Sequence, residues 1–415
     1  MFLCNPFGIK CFWSRVGQGG PHSFFAFRAG GIGIIEEAIS SQEDDPLPHP
    51  LFTPFKLRSV DFSNRIGVSP MCQYSSQDGF ANDWHLVHLG ARAQGGAGLV
   101  ITEASAVLPE GRISPADHGI WKDEHIPGLA RIVEFLHAQG ARAGIQLAHA
   151  GRKGSTTPFV GDSWVASEDG GWHPVGPSEL AFSPNYAVPR MLDLAGIDAV
   201  IEGFRQAARR ALQAGFDFVE IHAAHGYLLH EFLSPLANQR GDSYGGSFEN
   251  RTRLLIEVAQ VVRAEWSANL PLFVRISATD WAEGGWTAEE SVRLARTLRE
   301  LGVDLLDVST GGMVPNAHIP AGPGFQGQFA SRIRRETGIA TAAVGLITEP
   351  AQANAIIAAG EADLVLLGRQ MLRDPYWPLH AAVALGSETS WPVQYMRAAP
   401  PESPARVALV RPENS

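Results

Sequence analysis

Cysteine is scarce in this chain. Three occur among 415 residues, Cys4, Cys11 and Cys72, too few for a disulfide framework or a cluster held by four thiolates. That scarcity suits a reducing compartment, and the cytoplasm is the expected location. Long hydrophobic runs are missing too: none approaches the roughly 20 apolar residues that cross a bilayer as a helix, so no membrane span is expected. Basic charge is short, with 33 Lys and Arg against 43 Asp and Glu and a net charge of −10. Such a surface disfavours nucleic acid and anionic membranes as partners and leaves room only for a local anion pocket. Also absent is a Gly-x-Gly-x-x-Gly turn after an early strand, the fingerprint of an open dinucleotide-binding sheet. A nicotinamide cofactor, if used, then shares the active-site pocket.

Acidic residues are absent from the first 35 positions, which carry Lys10, Arg15 and Arg28 before Glu36, Glu37 and Glu43-Asp44-Asp45 arrive. This leader has the charge of an organellar transit peptide but is poor in Ser and lacks an amphipathic period. A disordered extension or an upstream start site is the plainer alternative. Pro46-Leu47-Pro48-His49-Pro50 has the composition of a linker. The expected organisation is an extension over residues 1–50, one folded domain over 51–397, and a tail over 398–415.

From Ile66 onward, short β-branched or apolar runs alternate with helical patterns. Strands are expected over 66–69, 98–102, 142–146, 218–221, 272–276, 305–308, 340–344 and 364–367. Helical periodicity fills 126–138, 197–214, 254–266, 288–301 and 351–359, and Gly140, Gly215, Gly302 and Gly360 stand where helices terminate. Eight alternating pairs predict an α/β fold, a closed (βα)8 TIM barrel.

Catalysis in such barrels sits at the C-terminal ends of the strands. Those ends carry Ser69-Pro70-Met71-Cys72-Gln73-Tyr74, Glu103-Ala104, Gln146 through Lys153, Glu220-Ile221-His222-Ala223-Ala224-His225-Gly226-Tyr227, Arg275, Gly312, Gly345 and Gly368-Arg369. Glycines after the last two strands let backbone N–H groups approach a phosphate, with Arg369 adding charge. His222 and His225 can converge on one anionic oxygen or one metal ion, while Tyr227 can supply a proton. The cluster alone leaves both chemistries open. A metal-dependent hydrolase needs a third ligand, for which Glu103 and Asp280 are the candidates. His85 and His88 share the His-x-x-His spacing but belong to the first barrel helix, where a structural role is expected.

In their order along residues 51–397, the Ser69–Tyr74, Gln146–Lys153 and Glu220–Tyr227 motifs, then Asp242-Ser243-Tyr244-Gly245-Gly246-Ser247-Phe248-Glu249-Asn250-Arg251 and Leu367-Gly368-Arg369, resemble the Old Yellow Enzyme family. The resemblance is to its thermophilic-like branch of FMN-dependent ene-reductases. It implies FMN as cofactor, with Pro70, Met71 and Ala104 against the ring system and Cys72 near N5, tuning the flavin. It further implies Gln146 at the pyrimidine edge, Arg275 near N1 and O2, and Arg369 with Gly312, Gly345 and Gly368 on the phosphate. Lys153 would touch the ring or ribityl edge, unless it is a solvated loop lysine. His222 and His225 would donate to the carbonyl or nitro oxygen of a small-molecule substrate, with Tyr74 on the same oxygen and Tyr227 protonating the α-carbon. NADPH or NADH would supply hydride in the same pocket by a ping-pong mechanism. The tail resemblance implies a homodimer or homotetramer in which Arg397 reaches a partner's site. Relatives that add an iron–sulfur cluster are excluded by the cysteine count.

Overall fold

The computed structural model describes residues 49–159 and 162–401. The expectations for the leader before His49 and for the tail beyond Pro401 fall outside the described residues. Eight parallel strands close into a barrel: β1 (Ile66–Val68), β2 (Leu99–Ala106), β3 (Arg142–Ala148), β4 (Phe218–Ala223), β5 (Leu272–Ser277), β6 (Leu305–Ser309), β7 (Ala340–Val344) and β8 (Leu364–Leu367). Pairing of Val365 with Ile66 joins the last strand to the first. Around it run α1 (Asp83–Gln94), α2 (Ile126–Ala138), α3 (Leu194–Gln213), α4 (Leu228–Leu233), α5 (Phe248–Glu265), α6 (Ala288–Glu300), α7 (Gly327–Thr337) and α8 (Pro350–Ala358), with α9 (Arg369–Arg373) and α10 (Trp377–Leu385) following β8.

Alternation along each strand divides the core. On β4, Val219 and Ile221 face the helices, whereas Phe218 joins an inner cluster with Phe273 and Phe62. Phe62 comes from a hairpin, Phe55–Leu57 with Val60–Phe62, ahead of the barrel. Its ring meets Phe218 edge-on at 5.8 Å, and Phe218 lies 4.5 Å from Phe273, so three aromatics plug the barrel's lower end. Gly144 is required there, because a Cβ would sit 2.2 Å from the Phe218 ring.

The strands β7 and β8 have the bounds predicted from sequence, and the four expected terminal glycines all adopt positive φ. Five strands run past their expected ends, two of them with consequence for the site. An irregularity between Ile101 and Ala104 carries β2 on to Ala106, and β4 continues to Ala223, which places His222 on the strand's inner face. Polar residues hid both extensions, since they interrupt the apolar run while pointing into the barrel mouth. Ser247 caps α5 through the Asn250 amide. Arg251 then ties that helix to the carbonyls of Leu233 and Gly246 and to Glu290. No helix among the described residues is long and apolar enough to cross a membrane.

Candidate active site

Three strand-end side chains converge at the top of β4. The His222 ring lies 5.2 Å from His225 and 5.2 Å from Tyr227, edge-on to both. Burial, reinforced by the Arg275 charge, holds both imidazoles well below their ordinary pKa, so both are neutral. Tyr227 keeps its proton because burial raises its phenol. His225 adopts φ 59°, left-handed backbone that a non-glycine residue holds only under local constraint. The constraints are visible: its amide donates to Ser277 Oγ at 2.9 Å, and its Nε2 lies 2.7 Å from Ser309 Oγ. Nδ1 of His222 is buried without a partner among the described residues, which costs about 1–3 kcal/mol unless a ligand satisfies it.

Below this cluster the inner face stays polar. Gln146 Nε2 donates to Glu220 Oε1 at 2.7 Å, which leaves the amide oxygen for a ligand donor. Arg275 Nε lies 2.9 Å from Asp307 Oδ2, and the same guanidinium donates to Ser69 Oγ at 3.2 Å. The sequence reading passed over Glu220 and Asp307 as strand residues. Period-two alternation past Phe218 and Leu305 was the signal that could have found them.

The β1 loop carries Cys72 and Tyr74. Burial, then Asp117 and Glu103, hold the Cys72 thiol well above its usual range, so it is a poor nucleophile. Tyr74 also has positive φ, 51°, and its ring lies 5.3 Å from Phe159. Glu103 accepts the Gln73 amide at 2.9 Å and lies 3.2 Å from His85 Nε2. His85 thereby connects the helix α1 to the Cys72 loop, a positioning link that helical periodicity alone could not reveal. Glu103 is committed here, and Asp280 lies 2.9 Å from His230. Neither is free to join His222 and His225 as a metal ligand, and no group of three metal-ligating side chains occurs among the described residues.

Gly345, Gly368, Arg369 and Arg373 line a cavity of about 110 Å³ at the ends of β7 and β8, with Thr348 and Gln370. Gly345 has φ 114°, and a Cβ on Gly368 would stand 3.7 Å from Met71 Sδ, which brings the β1 loop against this cradle. Arg373 is the member the sequence reading missed. Lys153 is no solvated loop lysine: its Nζ donates to the carbonyls of His225 at 2.8 Å and Gly312 at 3.2 Å, and burial lowers its pKa to about 8. Arg397 is exposed in the turn Val393–Ala398. His149 is buried, with Nδ1 accepting the Gly151 amide at 3.1 Å.

A family model described as NADH:flavin oxidoreductase / NADH oxidase matches residues 50–388. The chain belongs to this family, that of the Old Yellow Enzymes. An NADPH dehydrogenase of Geobacillus sp. (strain WCH70) is 49% identical over 349 residues, 84% of this chain and 98% of the relative. Another, from Halalkalibacterium halodurans, is 48% identical over 354 residues, 85% and 99% of the two chains. Morphinone reductase superposes with a TM-score of 0.69 at 28% identity, over 83% of this chain and 92% of its own. Its complex with tetrahydroNAD gives 0.67 at 29% identity, over 82% and 92%. As an Old Yellow Enzyme family member, the protein is an FMN-dependent NAD(P)H oxidoreductase. Its residues fit the cofactor: glycine backbone and two arginines line one cavity, a cation and an amide oxygen sit lower in the mouth, and His222 Nδ1 is unpaired.

Proposed function

We propose that this Old Yellow Enzyme family member is an ene-reductase, which takes hydride from NADPH or NADH and reduces C=C bonds conjugated to a carbonyl or nitro group. The observation that carries the reading is the neutral His222–His225 pair packed edge-on beside the protonated Tyr227. FMN, when bound, accepts hydride from the nicotinamide and passes it to the alkene. Pro70, Met71, Ala104 and Cys72 would flank its rings, Gln146 and Arg275 would hold the pyrimidine edge, and Gly312, Gly345, Gly368 and Arg369 the phosphate. A fixed guanidinium there stabilises the negative charge that reduction brings.

His222 and His225 then hold the substrate oxygen. Ser309 Oγ stands 2.7 Å from His225 Nε2 and 3.3 Å from Gln326 Oε1, which also accepts from Thr310 Oγ1 at 2.7 Å, so the nearer acceptor, His225 Nε2, takes the Ser309 proton. That tautomer leaves Nδ1–H of His225 to donate. Tyr74 adds a hydrogen bond to the same oxygen, and Tyr227 gives its proton to the α-carbon. Lys153 tethers the His225 and Gly312 loops beneath the substrate. Both half-reactions use one mouth, so ping-pong kinetics follow. Arg397 extends toward the site of a second copy in a homodimer or homotetramer; sedimentation as a strict monomer at micromolar concentration would remove that role. The bacterial relatives and the low cysteine count favour a cytoplasmic location.

The test is optical. Purified protein carrying FMN is yellow, bleaches anaerobically with NADPH, and regains colour when cyclohexenone is added. Bleaching without recovery by any enone or nitroalkene sinks the ene-reductase reading. Replacing His222 and His225 by Ala together abolishes phenol binding while FMN stays bound; loss of FMN instead means that the histidines serve the cofactor.

A further inference from the structure

Four inward side chains on consecutive strands form a dry polar layer: Gln146 on β3, Glu220 on β4, Arg275 on β5 and Asp307 on β6. Register pairs Gln146 with Glu220 and Arg275 with Asp307. Both carboxyls are 0% exposed. Glu220 has Oε1 on the Gln146 amide, whereas its Oε2 is buried without a hydrogen-bond partner among the described residues. The rest of the shell offers little. Ser69 on β1 binds Arg275, Ile101, Ala342 and Leu366 on β2, β7 and β8 are apolar, and His222 stands above Glu220 on the same strand. Two carboxyls therefore share one guanidinium. Fully ionised, the layer carries one net negative charge in a dry interior; with one proton aboard it is neutral.

We propose that Glu220 is a redox-linked proton site, whose carboxylate takes up one solvent proton when the bound flavin gains negative charge beside Arg275 and releases it when that charge departs. The inference rests on the proposed placement of FMN over Gln146 and Arg275. A new anion at the guanidinium competes with Asp307 and Glu220 for the only cation of the layer and repels both, and each effect raises their affinity for a proton. Both oxygens of Asp307 also lack a hydrogen bond among the described residues, but Asp307 Oδ2 stands 2.9 Å from Arg275 Nε, which leaves Glu220 Oε2, without such a cation beside it, to take the proton. Burial, then the Asp307 charge, already hold the Glu220 carboxyl above the ordinary carboxylate range, and burial does the same for Asp307. The two titrate as a pair.

The balance is as follows. A hydride, that is two electrons and one proton, would pass from NADPH to bound FMN and leave one negative charge beside Arg275. At the same time an O–H bond forms at Glu220 Oε2 with a proton from solvent. When the hydride leaves for the β-carbon of the alkene, that O–H bond breaks and the proton returns to solvent. The α-carbon proton comes separately from Tyr227. At pH values where Glu220 is ionised in the oxidised protein, it thus shields the dry layer from a second uncompensated charge in each cycle.

The experiment is a spectroelectrochemical titration of the yellow holoenzyme between pH 6 and pH 10. Each proton taken up with two electrons changes the equilibrium constant tenfold per pH unit, about 30 mV per unit. The wild type is expected to follow that slope at low pH, where Glu220 is already protonated, and about twice that slope at higher pH. Glu220→Gln keeps the single-proton slope throughout, while Asp307→Asn retains the steep segment and moves it to lower pH. Proton uptake counted with an indicator dye during anaerobic reduction gives the same answer on the wild type alone, should Glu220→Gln fail to fold. One proton per two electrons across the whole range overturns the inference, as does a steep segment that persists in Glu220→Gln. A wild-type protein that cannot be loaded with FMN overturns the proposed function instead.

Discussion

His230 Nε2 lies 2.9 Å from Asp280 Oδ1, with both residues fully buried. His230 Nδ1 accepts the Gly226 amide at 2.9 Å, so the proton of a neutral ring sits on Nε2 and faces the carboxylate. Asp280 also accepts from Ser234 Oγ at 2.6 Å and from the Trp286 amide at 2.7 Å. Burial works against its charge, but His230, Ser234 and Trp286 outweigh it and hold the carboxyl below its usual range. The turn between His225 and Tyr227 thus hangs from the loop after β5. Asp280→Ala is expected to cost about 3–5 kcal/mol of stability, as removal of one partner of a buried pair does, and to weaken phenol binding in the surviving fold. Denaturant unfolding and a phenol titration measure the two effects; unchanged phenol affinity would show that the turn is held by other contacts.

In the proposed reaction Tyr227 separates the half-reactions. Its phenol is held protonated by burial, so it would act as an acid toward the substrate and take no part in receiving hydride. Tyr227→Phe should slow enone reduction by about 10²–10⁴-fold, the span of a lost general acid, while anaerobic bleaching by NADPH keeps its rate. Stopped-flow traces of each half-reaction decide the matter. Equal slowing of both would assign Tyr227 to packing.

The barrel was legible because its signal is repeated: eight apolar runs, interleaved with helical periods, survive errors at individual boundaries. The candidate site residues rest on the strand-end rule and the motif resemblance together. What escaped are residues whose partners lie far along the chain. Glu220 and Asp307 look like interruptions of apolar strands until the barrel closes and sets them in one layer with Gln146 and Arg275. His85 reads as an ordinary helix residue, and only packing brings it to Glu103 and so to the Cys72 loop. The lower plug needed Phe62, which precedes the first barrel strand and belongs to a hairpin too short to show a period.

Gly226 and Gly312 interlock. A Cβ on Gly226 would sit 2.1 Å from the Gly312 carbonyl oxygen, and Gly226 has φ 71°, so both space and backbone require glycine. Gly226→Ala is expected to lose at least the roughly 1–3 kcal/mol of such strain and to displace His225. Gly241→Ala meets nothing within 4 Å and serves as the control. Thermal unfolding of the two variants compares them directly, and equal midpoints would contradict the interlock.

Arg369 has no ion-pair partner among the described residues, unlike Arg334, which is held by Asp363. A phosphate is the chemistry its position suits. Arg369→Ala should weaken FMN binding by about 1.5–3 kcal/mol, the range for a charge-assisted hydrogen bond, and Arg373→Ala by less, because Arg373 also donates to Gln370 at 2.9 Å. Fluorescence titration of apoprotein with FMN measures both. An Arg369 variant with wild-type affinity would move the phosphate elsewhere.

Glu231 makes the fold's pH dependence testable apart from the flavin. It is 0% exposed on α4, with Oε1 accepting the Arg152 amide at 2.9 Å and Oε2 unpartnered among the described residues. Burial raises its carboxyl to about 8, against the opposing pull of Arg152. The unfolded chain releases this proton near the ordinary glutamate value of roughly 4.3, so between there and pH 8 the folded state binds one proton more. Stability must then fall as pH rises through that window, by at most about 1.4 kcal/mol per unit for this one group, and level off above it. Below pH 4 both states are protonated and the group contributes no slope. Glu231→Gln removes the proton from the balance, so its unfolding midpoint should decline less steeply than that of the wild type between pH 5 and pH 8. Parallel declines would mean that Glu231 is ionised in the folded protein and that Arg152 compensates its charge in full.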